Sequence, residues 1–278
     1  MTALTNWAEQ LEAWAIPQRV LEQATDSPWV LPRQVFAHRA DRRIAEPDGA
    51  SHREAASVLE RPGTVLDIGA GAGASSLPLS GRCPVTEVTA VEEDARLLEG
   101  FRERADRLDL PVRTVRGWWP EVAEEVGAAD LVVAGNVLYN IADLAPFVSA
   151  LTDHARRRVV TDMTSHHPLT ALNPLWQRFH GITRPSGPTA HDCIAALTEM
   201  GIRPEVTHWS RPVEGDHATF ADLVEVTRRR LCLPASATAE LESALRELDV
   251  DPAAPPDLGT AGRDMVTLSW QGTADSRH

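Results

Sequence analysis

The segment Val65-Leu66-Asp67-Ile68-Gly69-Ala70-Gly71-Ala72-Gly73 restricts this chain more than any other. Its apolar half reads as a short strand buried on both faces, the pattern of an interior strand in a parallel sheet. Its second half puts glycine at alternate positions, so the backbone leaving the strand bends sharply and is bare of Cβ atoms, open to close approach by a ligand. A strand ending in such a loop predicts an α/β layered fold with its ligand at the carboxyl end of the strands.

The downstream sequence repeats the theme. Val-rich runs at 64–69, 86–92, 111–116, 130–135 and 157–163 read as strands. Helical stretches fall between them at Asp94 to Leu108, Pro120 to Glu125 and Leu144 to His154. Alternation at this interval predicts parallel strands joined by crossover helices in an open, doubly wound sheet. Further strands are expected at 204–209 and from Asp264 to Trp270, and a helix from Thr189 to Met200 opens on a capping pair, Thr189 with Asp192. Residues 1 to about 60 place Trp7, Leu11, Trp14 and Ala15, then Val20 and Leu21, then Val35, Phe36 and Arg39 at helical spacing. They predict an N-terminal helical cap that ends before Pro62-Gly63. The core is then 61–210 plus 263–271. Residues 164–188 and 211–262 are expected as insertions, the second with helices around Phe220 to Arg230 and Ala235 to Leu248.

Composition narrows the chemistry. All 27 residues counted as Lys plus Arg are arginine. Without lysine there is no Walker P-loop and no pyridoxal Schiff base. The single tyrosine, Tyr139, therefore has no lysine to form a dehydrogenase-type proton relay. A net charge of -13 disfavours a general grip on a phosphate backbone. The runs Arg156–Arg158 and Arg228–Arg230 read as cations near helix C-termini, favoured there by the macrodipole, or else as an anion or nucleic-acid contact. Cys83, Cys193 and Cys232 form no metal or disulfide pattern, and no metal site is expected. No apolar run approaches the ~20 residues of a membrane span. The N-terminus lacks a basic segment followed by an apolar one, so a cytoplasmic protein is expected.

Glu92 ends the second predicted strand, nineteen positions beyond Gly73. A carboxylate there can accept hydrogen bonds from both hydroxyls of a ribose. Glycine loop and carboxylate together imply a cofactor that carries a nucleoside. Gly69, Gly71 and Ala74 also satisfy a dinucleotide pattern. Asp67, immediately ahead of the loop, disfavours a pyrophosphate at that point and suits a cationic ligand.

With these residues in view, the sequence resembles the class I S-adenosylmethionine-dependent methyltransferases, whose first motif is a D/E-x-G-x-G-x-G loop. Asp67, Gly69, Gly71 and Gly73 match it, Glu92 matches the acidic residue ending strand two, and Asp130 to Tyr139 (DLVVAGNVLY) matches the fourth motif. The resemblance covers about residues 64 to 164, and more loosely the strands at 204 and 264. It implies a Rossmann-like α/β fold with a mostly parallel seven-stranded sheet, and S-adenosyl-L-methionine as cofactor. By the likeness, Asp67 and the glycine loop lie at the methionine moiety, Glu92 with Glu93 beside it meets the ribose, and Gly135 and Asn136 line the amino acid end. The carboxylate usual after strand three is absent from Arg116-Gly117-Trp118-Trp119. Either Trp118, following Gly117, stacks on the adenine, or another group supplies the contact.

The implied activity is methyl transfer to a small organic acceptor by in-line displacement at the sulfonium methyl. Methylation of RNA or protein, a non-catalytic cofactor-binding module and nicotinamide-dependent oxidoreduction stand as alternatives. The segment Gly135-Asn136-Val137-Leu138 lacks the N-P-P-Y or D-P-P-Y tetrad of enzymes that methylate amides and nucleobase amines. Candidate catalytic residues follow the fourth and fifth strands. Tyr139 either orients the acceptor or is a structural hydroxyl. His166 and His167 are either bases near neutral pH or part of a solvated loop or helix N-cap region.

Overall fold

The computed structural model describes all residues except 30, 48, 212–214, 216, 257, 259–262 and 275–278. Its centre is one seven-stranded sheet in the order β3-β2-β1-β4-β5-β7-β6. The strands are β1 (Gly63–Ile68), β2 (Val85–Glu92), β3 (Val112–Arg116), β4 (Ala129–Gly135), β5 (Ala155–Thr164), β6 (Glu205–Ser210) and β7 (Asp264–Gln271). The first five are parallel, and β7 runs antiparallel to both β5 and β6. The Rossmann-like, mostly parallel expectation therefore holds. The chain order reverses between β1 and β4, and there the carboxyl ends of adjacent strands open a crevice.

Among the described residues ten α-helices surround the sheet: α1 (Ala3–Glu12), α2 (Gln18–Leu21), α3 (Arg33–Ala45), α4 (Ala50–Val58), α5 (Ala95–Arg107), α6 (Leu144–His154), α7 (Asn173–His180), α8 (Ala190–Glu199), α9 (Phe220–Arg230) and α10 (Thr238–Glu247). Local chemistry explains their limits. Asp94 caps α5 by accepting the N–H groups of Arg96 and Leu97, and Leu97, Leu98, Phe101 and Ala105 then bury one face. α8 and α9 both start on complete capping boxes, Thr189 with Asp192 and Thr219 with Asp222. Among the described residues no helix is long and apolar enough to cross a membrane.

Each sheet face has its own core. One gathers Trp7 of α1, Leu144, Phe147, Val148 and Leu151 of α6, and Cys193, Ala196 and Leu197 of α8. The other gathers Ala55 and Leu59 around α4 with Leu98, Phe101 and Ala105 of α5. A third cluster unites α2, α7, α9 and α10 through Val20, Leu175, Trp176, Val224, Leu241 and Leu245. The first sixty residues thus differ from the cap expected of them. α1 and α4 bury into opposite faces of the core, α2 joins the inserted helices, and α3 alone lies over the glycine loop.

Two further expectations fail. No α-helix follows β1. Gly69, Gly71 and Gly73 hold φ of +66°, +54° and +100°, outside the helical region, and the chain passes by turns into a short 3₁₀ helix, Leu77–Gly81. Arg156–Arg158 sits in β5, not at a helix C-terminus. There Arg157 pairs with Asp130, and Arg158 pairs with Glu54 and Glu205. The other run, Arg228–Arg230, does close α9.

Candidate active site

The glycine loop is anchored to β2, with Gly69 and Ala70 both donating to the carbonyl of Val91 at 2.9 and 3.1 Å. Its glycines are required by φ and by the protein's own atoms. A Cβ on Gly69 would lie 2.5 Å from Val137 Cγ1, one on Gly73 would overlap Leu77, and one on Gly71 would press on Phe36 of α3 at 3.3 Å. Phe36, Ala72, Ala74 and Leu97 form a small cluster with Ala40, so α3 covers the loop. Buried Arg104 of α5 secures α3 by donating to both carboxylate oxygens of Asp41 at 2.9 Å. Arg33, at the start of α3, pairs with Asp94 at 2.8 Å.

Glu92 reaches the middle of the loop. Oε2 accepts the Gly71 N–H and Oε1 accepts the Asp94 N–H, both at 3.0 Å. Each carboxylate oxygen has two lone pairs, so one acceptor site per oxygen stays available for a hydroxyl. Glu93 points outward and is exposed. Its carboxyl is raised by partial burial and by its neighbours Glu92 and Asp94.

Asp67 is fully buried, and among the described residues neither carboxylate oxygen makes a well-formed hydrogen bond, Ser76 being the near donor. Burial pushes its carboxyl up to about 7, Glu92 adds to the rise, and nearby Ser76 opposes it. A buried carboxylate so poorly supplied with donors is costly, and a cationic or hydrogen-donating ligand relieves that cost.

On the other side of the crevice, Asn136 takes a left-handed φ of +58° and donates its N–H to Asp162 O at 2.8 Å. Gly135 packs against the Ser75 side chain, leaving no room for a Cβ. After β3, the Gly117 N–H donates to Glu92 O at 3.2 Å, and the Trp118 ring is 59% exposed at the rim. Trp119 is buried, with its indole donating to Phe147 O, and anchors the core.

The structure places two of the three catalytic candidates in the core. Tyr139 is buried, and its hydroxyl donates to Thr164 O at 2.8 Å while its ring stacks on Trp7. Burial drives its phenol far above the ordinary range, so it is a structural hydroxyl that does not exchange protons near neutrality. His167 is buried, stacked on Trp14 with centroids 4.2 Å apart, and its Nδ1 accepts the Leu169 N–H at 3.3 Å. Burial and the charges of Arg230 and Arg184 lower its pKa to about 3, too low for a general base at neutral pH. His166 alone is exposed. With His167, Thr170, Pro256, Leu258 and Arg263 it lines a cavity of ≈ 190 Å³ beyond the end of β5. Sequence reasoning missed the sealing role of Phe36 over Gly71, a contact that helical spacing alone does not reveal.

Residues 65–158 match a family described as "Methyltransferase domain". The chain carries a methyltransferase domain. The matched span runs from β1 to β5 and contains Asp67, the glycine loop, Glu92, Asn136 and Tyr139. Within this domain the chain is 37% identical over 79 residues to the ribosomal RNA small subunit methyltransferase G of an Anaeromyxobacter species, covering 28% of this chain and 37% of that protein. It is 32% identical over 93 residues to the trans-aconitate 2-methyltransferase of Methylobacterium radiotolerans, covering 34% of each chain. The matches thus span little more than a third of either relative's length. Among solved structures, an S-adenosylmethionine-dependent methyltransferase from Geobacter sulfurreducens, in complex with S-adenosyl-L-homocysteine, superposes with a TM-score of 0.53 at 14% identity. The superposition covers 86% of this chain and 98% of that one. At this identity the likeness is one of fold.

Proposed function

We propose that the methyltransferase domain binds S-adenosyl-L-methionine in the crevice between β1 and β4 and transfers its methyl group to a small organic acceptor held beneath the inserted helices. The observation that carries this reading is Asp67. A fully buried carboxylate with only Ser76 as a near donor, placed directly ahead of a glycine loop, fits a cofactor that brings positive charge and N–H or O–H groups. The same observation weighs against a dinucleotide, as does the chain's path out of the loop. A five-residue 3₁₀ turn replaces the α-helix whose N-terminus would face a pyrophosphate.

The cofactor would lie with its ribose on the remaining lone pairs of Glu92, its amino acid end toward Asp67, Gly135 and Asn136, and its base toward Gly117 and Trp118. Once bound, the sulfonium supplies a methyl already activated for displacement. The protein's work is then to align the acceptor and exclude water, which can account for ~7–11 kcal/mol of a barrier. α3 serves the second task by sealing the loop with Phe36. His166, on the exposed edge of the β5 cavity, is the one of the three candidates positioned to take a proton from an acceptor. The acidic surface and the absence of a general phosphate grip favour a small acceptor over RNA.

Titration calorimetry with S-adenosyl-L-homocysteine and with NADH tests the cofactor. Micromolar or tighter binding of the first and none of the second supports the reading, and the reverse overturns it. Turnover of labelled S-adenosyl-L-methionine on an acceptor panel separates an enzyme from a cofactor-binding module. A steeply salt-dependent affinity for RNA would favour an RNA acceptor instead.

A further inference from the structure

Two arginines of the inserted segments, Arg184 after α7 and Arg230 at the end of α9, have no counter-charge among the described residues. Arg184 is 8% exposed and lies over the rings of Trp14 and Trp176, its guanidinium carbon 5.4 and 4.9 Å from their centroids. It donates to Trp14 O at 2.5 Å and Ala15 O at 2.9 Å, and its Nε is buried with no partner. Arg230, at the end of α9, donates through Nη1 to the carbonyls of Pro28 and Trp29 at 2.9 and 3.4 Å. Its Nε is also buried without a partner. Among the described residues Nη2 meets no acceptor either, so the Nε edge of Arg230, which matches a carboxylate or phosphate with two N–H groups, has unused donors.

Neighbouring arginines are treated differently. Arg228, two positions earlier, pairs with Asp26 and Glu225, and Arg178 pairs with Glu247. Among the described residues, no carboxylate lies within ion-pair distance of Arg184 or Arg230. Burying a guanidinium against carbonyls alone is costly, and an anion supplied from outside offsets that cost. Burial accordingly lowers the pKa of Arg230 to about 10 and lowers that of Arg184.

The two side chains converge on one place. Arg184 covers Trp14, which stacks on His167, and His167 lines the cavity past β5. Arg184 also covers Trp176, whose neighbour His180 bonds Leu231 O at 2.6 Å, directly beyond Arg230. We propose that Arg184 and Arg230 form an anion site beside His167, and that the acceptor is held there by a carboxylate or phosphate group. This deepens the proposed function and rests on it for the identification of the ligand as methyl acceptor.

The test separates the two claims. The full chain, saturated with S-adenosyl-L-homocysteine, is titrated with succinate, with inorganic phosphate and with dimethyl succinate, and binding is read by calorimetry. The site predicts saturable binding of succinate or phosphate, none of the uncharged ester, and weakening by about tenfold or more in Arg230→Gln. Arg178→Gln should leave the affinity unchanged. Arg184→Gln should act like Arg230→Gln where it folds. Arg230→Gln, which alters the less buried residue, decides the matter where Arg184→Gln does not fold. Absence of anion binding by a protein that binds S-adenosyl-L-homocysteine, or binding indifferent to Arg230→Gln, overturns the anion site and leaves the methyltransferase reading standing. Failure to bind S-adenosyl-L-homocysteine, with succinate or phosphate binding intact, overturns the latter and leaves the anion site.

Discussion

Glu92 Oε2 accepts the backbone N–H of Gly71 at 3.0 Å, tying the tip of β2 to the middle of the glycine loop. The other oxygen accepts the Asp94 N–H, so one carboxylate fixes both the loop and the start of α5. The residue expected to hold a ribose therefore also shapes the surface on which the ribose would lie.

Replacing Glu92 should expose that double role. Glu92→Ala removes the acceptor for both N–H groups and for the ribose, and affinity for S-adenosyl-L-homocysteine should fall by ~1.5–3 kcal/mol, roughly ten- to 150-fold. Glu92→Gln keeps one acceptor oxygen and should lose less. Calorimetry reads both, and an unchanged affinity in Glu92→Ala would remove the cofactor from this crevice.

Tyr139→Phe is expected to cost stability and spare turnover. It deletes the hydroxyl that satisfies the buried Thr164 carbonyl while keeping the ring on Trp7. Urea unfolding should show a loss of ~1–3 kcal/mol, the cost of one buried unsatisfied polar group. A hundredfold fall in kcat with unaltered unfolding would restore Tyr139 as a catalytic residue.

The sequence made the sheet legible because interior strands of a parallel sheet are continuous apolar runs, and those runs recur between capped helices. All seven strands lie within two residues of their expected positions. The antiparallel course of β7 was not legible, since α9 and α10 precede it as crossover helices would and an apolar run carries no mark of direction. At the site, Asp67, the glycine loop, Glu92 and Asn136 are legible because each sits at a strand end, where topology alone brings them together. Tyr139 and His167 stayed open to two readings for the opposite reason. Their surroundings are Trp7 and Trp14, more than a hundred residues away, and burial by such partners decides whether a phenol or an imidazole can exchange a proton.

Gly73→Ala and Gly81→Ala should differ sharply. Gly73 holds φ of +100°, and a Cβ there overlaps Leu77, so the substitution is expected to cost at least ~1–3 kcal/mol of stability. A Cβ on Gly81 meets nothing within 4 Å, and that variant should stay within about 0.5 kcal/mol of the parent. Equal unfolding midpoints would show that the loop relaxes away from its left-handed course.

Asp67 should make both stability and ligand affinity depend on pH. Its folded pKa, about 7, lies above the ordinary value of 3.8. The folded state therefore binds the proton more tightly than the unfolded state. The stability this group contributes is complete below about pH 4 and is lost as pH rises through about 7. Urea unfolding of the ligand-free protein should show that decline, and Asp67→Asn, which cannot ionise, should flatten it. A cationic cofactor prefers the ionised carboxylate, so affinity for S-adenosyl-L-methionine should rise over the same interval and the Asn variant should lose the rise. Stability and affinity are thus predicted to move in opposite directions between pH 5 and 8. Profiles that run parallel, or that survive Asp67→Asn, would show that the buried carboxylate does not face the cofactor.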